Sequence, residues 1–446
     1  MPVVPTWRLA VLLAVAGLVV LVLPGQAGFT FAAVNLVVLA VAAVDAVRAP
    51  AASSFKVERD APAILPLDGD GEVVWTVHNP ARRPVRMRLA DRLPPSLRAG
   101  SRRAALRVPA GGRARASTAI SPSRRGRFEL DTVTLRAEGP WRLAARQGDV
   151  AVPGTLRVYP PFRSRDEAEL RIDKARILEV GLRSAQGRGG GTEFDQLREY
   201  GVDDEFRRID WAATARAGKA IVRTYRAERN QTVMVLLDMG RLMAAKVRDP
   251  QAGGASWGDV PRLDHAMDAV MMLTAVSTRL GDRAGFVAFS DRVHAAVAPG
   301  HTRNQLGRVT EAMYALESEL VESDYRNAFS ETLARFRRRS LLVVLTELVP
   351  EAVSETLLPA LPLVVRNHLV LVAGVRDPSV DTWARATPAD AREAYRKAAA
   401  VTALDARRRT VARLRALGVV VVDEPPGRLA PRLADAYLRV KATGRL

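Results

Sequence analysis

The sequence predicts a multidomain chain with an N-terminal transmembrane helical hairpin, an antiparallel β-sandwich and a doubly wound α/β unit. Three observations carry this expectation. Leu9–Val44 holds no charged side chain. After residue 54 the apolar period becomes two, with Pro and Gly punctuating short segments. From Thr232 onward, β-branched apolar runs alternate with helical patterns, which implies a mostly parallel sheet covered on both faces.

The uncharged run of 36 residues would extend about 54 Å as one helix, too long for a single bilayer crossing. Pro24-Gly25-Gln26 breaks it, giving two short spans over Trp7–Leu23 and Gly28–Val47. Arg8 and Arg48 flank the pair and its turn carries no charge, so both ends face the cytoplasm and the body that follows is cytoplasmic. The alternative is a signal peptide ending near Ala27, which a single leading Arg and the lack of an Ala-x-Ala site disfavour. Asp45 lies near the span end, within reach of water. The expected boundaries are 1–48 for the hairpin, 49–54 for a linker, 55–161 for the sandwich, 162–231 for a charged segment and 232–446 for the α/β unit.

Composition narrows the chemistry. With 446 residues the chain needs more than one core, and 48% apolar residues exclude a mainly disordered protein. No cysteine is present, which removes disulfides, thiolate catalysis and Cys-bound zinc. Arg supplies 61 of the 67 basic residues behind the net charge of +19. The charge is dispersed and aromatic stacking partners are few, so no nucleic-acid partner is expected. Ten Arg and no acid between Arg92 and Phe128 could face anionic lipid head groups or line solvated strand positions.

The sandwich strands are expected at Glu72–His78, Pro84–Leu89, Ala105–Val108, Arg113–Ile120, Gly126–Leu130, Val133–Ala137 and Gly154–Tyr159. The segment 162–231 opens with a loose helical period over Arg163–Leu182, and Gly187–Gly191 reads as a hinge, since no Gly-Lys-Ser/Thr follows a strand there. Arginines 198, 207, 208, 216 and 223 then interleave with Glu199, Asp203, Asp204, Asp210 and Glu228 around Tyr200, Trp211 and Tyr225. Carboxylates among so many arginines stay ionised and paired, which suits docking or a structural joint better than proton transfer.

The α/β unit is expected to hold strands at Thr232–Asp238, Ala284–Phe289, Val293–Ala298, Leu341–Leu345, His368–Gly374 and Val419–Val422. Helices are expected at Leu263–Leu280, Gln305–Leu320, Arg326–Arg337, Glu351–Val365, Ala389–Leu417 and Leu429–Val440. Ligands of such sheets bind outside strand carboxyl ends, where Asp238 and Thr346-Glu347 lie. Other candidates have weaker spacing. Asp264, His265 and Asp268 share one helix start, Ser290-Asp291 and His294 have triad residue types without a nucleophile elbow, and His301 and His368 are isolated.

The run REYGVDDEFRRIDWAATARAGKAIVRTYRAER, followed by an apolar strand ending in Asp, resembles the signature of the domain-of-unknown-function 58 family. RRGRFEL (Arg124–Leu130) and RVYP (Arg157–Pro160) extend the resemblance. It implies a bacterial membrane protein whose last unit has a von Willebrand factor A-like fold. It further implies cooperation with a MoxR-class AAA+ ATPase in maturing a protein or envelope component. The expected activity is that of a non-enzymatic scaffold, with Tyr200, Arg207, Asp210, Trp211 and Arg216 forming the partner-binding surface. The related fold carries a metal-ion-dependent adhesion site, Asp-x-Ser-x-Ser, where this chain reads Asp238-Met-Gly-Arg-Leu242. Arg241 is expected to compete for the carboxylate, and Glu347 stands where an Asp is usual. A Mg²⁺-dependent adhesion site using Asp238, Ser323 or Asp324, and Thr346 is the alternative, and no cofactor is otherwise expected.

Overall fold

A computed structural model describes residues 2–22, 27–67, 69–185, 193–201, 206, 209–226, 231–248 and 260–443. The chain is multidomain and rich in β-sheet, and divides into two compact units, Met1–Tyr159 and Pro160–Leu446. The expected turn at Pro24–Gln26, the Gly187–Gly191 hinge, and Asp203, Asp204, Arg207, Arg208 and Glu228 lie outside the described residues.

The first unit begins with apolar helices over Trp7–Val22 and Ala27–Arg48. The stretch Gly28–Ser54 is long and apolar enough to cross a bilayer, whereas the apolar part of the first helix, Trp7–Leu18, is shorter. Asp45 is not water-facing as expected, but fully buried. Its carboxylate accepts the backbone N–H groups of Trp141 (2.8 Å), Leu143 (2.8 Å) and Ala144 (3.0 Å), the turn of a long hairpin.

That hairpin, Gly126–Glu138 with Ala144–Tyr159, is the spine of a six-stranded sheet, which packs on a three-stranded one. Two expected strands, Gly126–Leu130 and Val133–Ala137, are one strand with an irregularity near Asp131. The expected strand at Gly154 starts ten residues earlier, at Ala144. An unexpected strand, Lys56–Asp60, carries Arg59 into the core. There Arg59 pairs with Asp91 at 2.8 Å, and Trp75 Nε1 donates to the same carboxylate at 2.6 Å. A buried pair survives only with its remaining donors used, and Arg59 also donates to the Leu130 and Val152 carbonyls, both at 2.8 Å.

In the second unit the main-sheet strands are β1 (Thr232–Asp238), β2 (Arg283–Phe289), β3 (Val293–Gly300), β4 (Leu341–Leu345), β5 (Leu369–Val375) and β6 (Val420–Glu424). Their order is β3-β2-β1-β4-β5-β6, all parallel except the antiparallel edge β3. All seven residues of β1 are buried because both faces are covered. Val233, Val235 and Leu237 join the layer of helices Arg262–Arg279 and Leu429–Ala442. Met234 and Leu236 join the opposite layer, with Tyr325, Phe329 and Leu414. Helix Arg165–Ala185 docks on the first layer through Ala168 and Ile172, with Arg171 Nε paired to Asp435 at 2.8 Å.

Connections leave β1 toward β2 on one side and later return to β4 on the other, so the switch point lies between the ends of β1 and β4. The expected helix Gln305–Leu320 stops at Met313. The chain then runs as a loop to helix Tyr325–Arg335, passing beside the ends of β1 and β2.

Candidate functional site: a saturated strand-end pocket and an exposed aromatic hairpin

Asp238 ends β1 at the switch point, and its carboxylate is almost wholly buried. Oδ1 accepts the Gly240 N–H (2.8 Å) and the Ser323 hydroxyl (2.5 Å). Oδ2 accepts the Thr346 hydroxyl (2.6 Å) and the Tyr325 hydroxyl (2.9 Å). Tyr325 and Thr346 also contact each other at 2.7 Å. Burial, and then the Asp238 charge, push the Tyr325 phenol well above its ordinary range, so it stays a donor.

Of the four residues expected around a metal, Asp238, Ser323 and Thr346 come together. Asp324 does not, since it caps helix Tyr325–Arg335 by accepting the Asn327 N–H. Arg241 does not compensate Asp238 as expected, but pairs with Glu322 at 2.5 Å. Glu347 turns away from Asp238 to Arg262 and Arg407, and Arg407 also holds Asp423. Burial of Arg407 opposes its charge, but these carboxylates outweigh it and raise its pKa. Sequence reasoning missed Tyr325, whose position at a helix start gave no sign that its hydroxyl would reach a strand end.

This arrangement does not fit a divalent ion. Mg²⁺ requires near-octahedral oxygen ligation, yet both Asp238 oxygens are filled by protein donors and Tyr325 bridges Asp238 and Thr346. A hydroxyl at position 240 is also closed off, because a Cβ there would sit 2.1 Å from Ser323 Oγ.

The other weak candidates separate similarly. His265 Nε2 contacts the Val247 carbonyl at 3.3 Å, and Asp268 accepts the Ser164 N–H at 3.2 Å. Burial pushes the Asp268 carboxyl up to about 6, partly offset by Ser164. His368 faces Ser340, with its pKa lowered by burial.

The signature segment forms its own two-stranded antiparallel sheet, Glu193–Glu199 with Ile221–Arg226, outside the main sheet. Between these strands lies helix Trp211–Ala217. Asp210 caps it by accepting the Ala213 N–H (3.0 Å), and Gly218 ends it in the left-handed conformation at φ 68°. Thr214 Oγ1 accepts the Ile221 N–H (2.9 Å), fixing the helix to the second strand. Among the described residues, Lys219 pairs with Glu199, while Arg216 donates to the Ala212 carbonyl at 3.2 Å.

Two aromatic rings also face outward. Trp211 is 61% exposed and Phe206 67% exposed, and the rings stack edge-to-face with centroids 5.6 Å apart. Leu197 is exposed on the first strand of the small sheet and Tyr200 directly after it. Of the expected surface, Trp211 and Arg216 share one short helix that Asp210 caps, while Tyr200 follows the first strand of the small sheet. Phe206 was not anticipated because it sits among charged residues with no period.

A profile of the family described as "Protein of unknown function DUF58" matches residues 196–383, which include most of this hairpin and the Asp238 pocket, and supports that family for the chain. No curated protein matches. Among solved structures, a conserved hypothetical protein BatB from Bacteroides thetaiotaomicron is 13% identical, with 48% of this chain and 99% of that chain covered at a TM-score of 0.29. Proximal thread matrix protein 1 from the mussel byssus, with a zinc-occupied MIDAS motif, is 10% identical over 48% of this chain and 46% of that one, at a TM-score of 0.24. The CARDB domain of a Pyrococcus furiosus protein, in complex with di-metal ions, is 11% identical over 22% of this chain and 86% of that one, at a TM-score of 0.16.

Proposed function

We propose that this chain is a membrane-anchored, non-enzymatic interaction protein that docks a protein partner on its signature hairpin. The observation that carries the reading is the outward Phe206–Trp211 pair at the start of a short helix, which the Asp210 cap and the Thr214 bond fix to the small sheet. Large exposed aromatics on a fixed backbone cost little entropy to bury and are typical interface anchors. The residues assigned to the partner are Tyr200, Phe206, Arg207, Trp211 and Arg216, while Asp210 maintains their frame.

By resemblance, the partner is a MoxR-class AAA+ ATPase acting on a protein or envelope component. The two apolar helices would form a two-span anchor with both soluble units cytoplasmic, and the second unit would be a von Willebrand factor A-like domain. The arginine-rich face between Arg92 and Phe128 would lie against anionic head groups. The rival reading, metal-dependent adhesion at Asp238, is disfavoured by the saturated carboxylate. Affinity capture from detergent-solubilised membranes, with and without ATP, tests the proposal. The wild-type chain should retain the ATPase and a Trp211→Ala chain should lose it. Equal capture by both would remove the assignment.

A further inference from the structure

We propose a second strand-end site, a divalent transition-metal site built from Ser290, Asp291, His294 and Glu319. Ser290 and Asp291 form the turn after β2, His294 lies on β3, and Glu319 comes from the loop that replaced the expected helix end. Ser290 is fully buried. Its Oγ lies 2.7 Å from His294 Nε2, 2.8 Å from Glu319 Oε2 and 3.0 Å from Asp291 Oδ1. His294 Nε2 is 3.3 Å from Glu319 Oε2 and 3.9 Å from Asp291 Oδ1.

A nucleophile reading fails on this geometry. Both carboxylates approach the same imidazole nitrogen as Ser290 does, so neither orients the ring through Nδ1 as a triad requires. The donors within the protein are too few for this cluster, although the half-exposed Asp291 also meets water. One serine proton faces three acceptor groups, two of them carboxylates, and a neutral imidazole adds at most one N–H. Arg292 approaches only the outer Asp291 oxygen, at 3.7 Å.

The four atoms are also the corners of an irregular tetrahedron. Ligand bonds of about 2.0 Å give tetrahedral edges of about 3.3 Å. Five edges here run from 2.7 to 3.9 Å, and Asp291, His294 and Glu319 can each offer a ligand atom within 4.8 Å of the others. One imidazole with two carboxylates selects Zn²⁺ or Mn²⁺ over Mg²⁺ or Ca²⁺. The backbone already sets the corners, because Met239 N–H bonds Phe289, Glu319 N–H bonds Met239, and Asp324 N–H bonds Ser290. A bound ion would brace the loop that brings Ser323 to Asp238, and this role is independent of docking at the hairpin.

The experiment is titration of the detergent-purified full chain with ZnCl₂ and MnCl₂, followed by calorimetry and by the melting midpoint. The expected result is one ion per chain and a raised midpoint, with affinity at least tenfold weaker in both His294→Ala and Glu319→Gln. If His294→Ala does not fold, Glu319→Gln gives the same reading through an isosteric change. Absence of binding to the wild-type chain, or equal affinity in Glu319→Gln, would overturn the site.

Discussion

Tyr325 completes the Asp238 carboxylate, placing its hydroxyl 2.9 Å from Oδ2 and 2.7 Å from the Thr346 hydroxyl. Tyr325→Phe keeps the ring but removes a hydrogen bond to a buried charge. The expected cost is about 1.5–3 kcal/mol in denaturant unfolding of the α/β unit. Adding Mg²⁺ should not restore it. Recovery with Mg²⁺ would revive the adhesion reading.

Gly240→Ala tests the same pocket from the backbone side. The new Cβ would lie 2.1 Å from Ser323 Oγ and 3.0 Å from the Val321 carbonyl, so Ser323 must swing away from Asp238. A loss of about 1–3 kcal/mol is expected. Ser323→Ala in the same chain should recover part of it, giving a non-additive cycle. Strict additivity would show that the two positions do not collide.

Asp45 and Gly139 form a lock within the first unit. A Cβ at Gly139 would come within 2.4 Å of Asp45 Oδ1, so Gly139→Ala should eject the carboxylate from three backbone donors. Limited proteolysis should then cut near residues 139–144 faster, and Asp45→Ala should behave alike. Unchanged cleavage in both would deny the lock.

Asp268 gives a pH signature. Its folded pKa of about 6 exceeds the ordinary 3.8, so the folded state binds the proton more tightly. Stability is therefore highest below pH 3.8 for this group and declines as pH rises to about 6, by up to roughly 3 kcal/mol. Asp268→Asn, which keeps an acceptor for Ser164, should raise the melting midpoint at pH 7.5 and leave it unchanged at pH 4. A gain of equal size at both values would contradict the assignment.

How much was legible follows from where information sits. The central main-sheet strands were readable because burial on both faces writes a continuous apolar run, as in Thr232–Asp238. The antiparallel sense of β3 was not, since strand direction leaves no mark in period. Asp238 and Thr346 could be named from strand ends, and Ser323 only from the adhesion site that the family resemblance implies. Tyr325 and Glu319 could not, because their roles arise when the loop of residues 314–324 abandons helix to bond Met239 and Ser290. Charged core groups such as Arg59 and Asp45 mislead any polarity pattern, being buried only because distant backbone and side-chain partners meet them. The expected strand began only at Gly154, although the hairpin pairing already runs from Ala145.

The docking claim is tested most directly by the affinity of the purified full chain for a purified MoxR-class ATPase, measured with Phe206→Ala and Trp211→Ala combined. Neither side chain is in the core, so the double variant should fold and melt like the wild type. Loss of both anchors should weaken binding at least about tenfold, each such anchor contributing on the order of 1–2 kcal/mol or more. Undiminished affinity in a folded double variant would contradict the account.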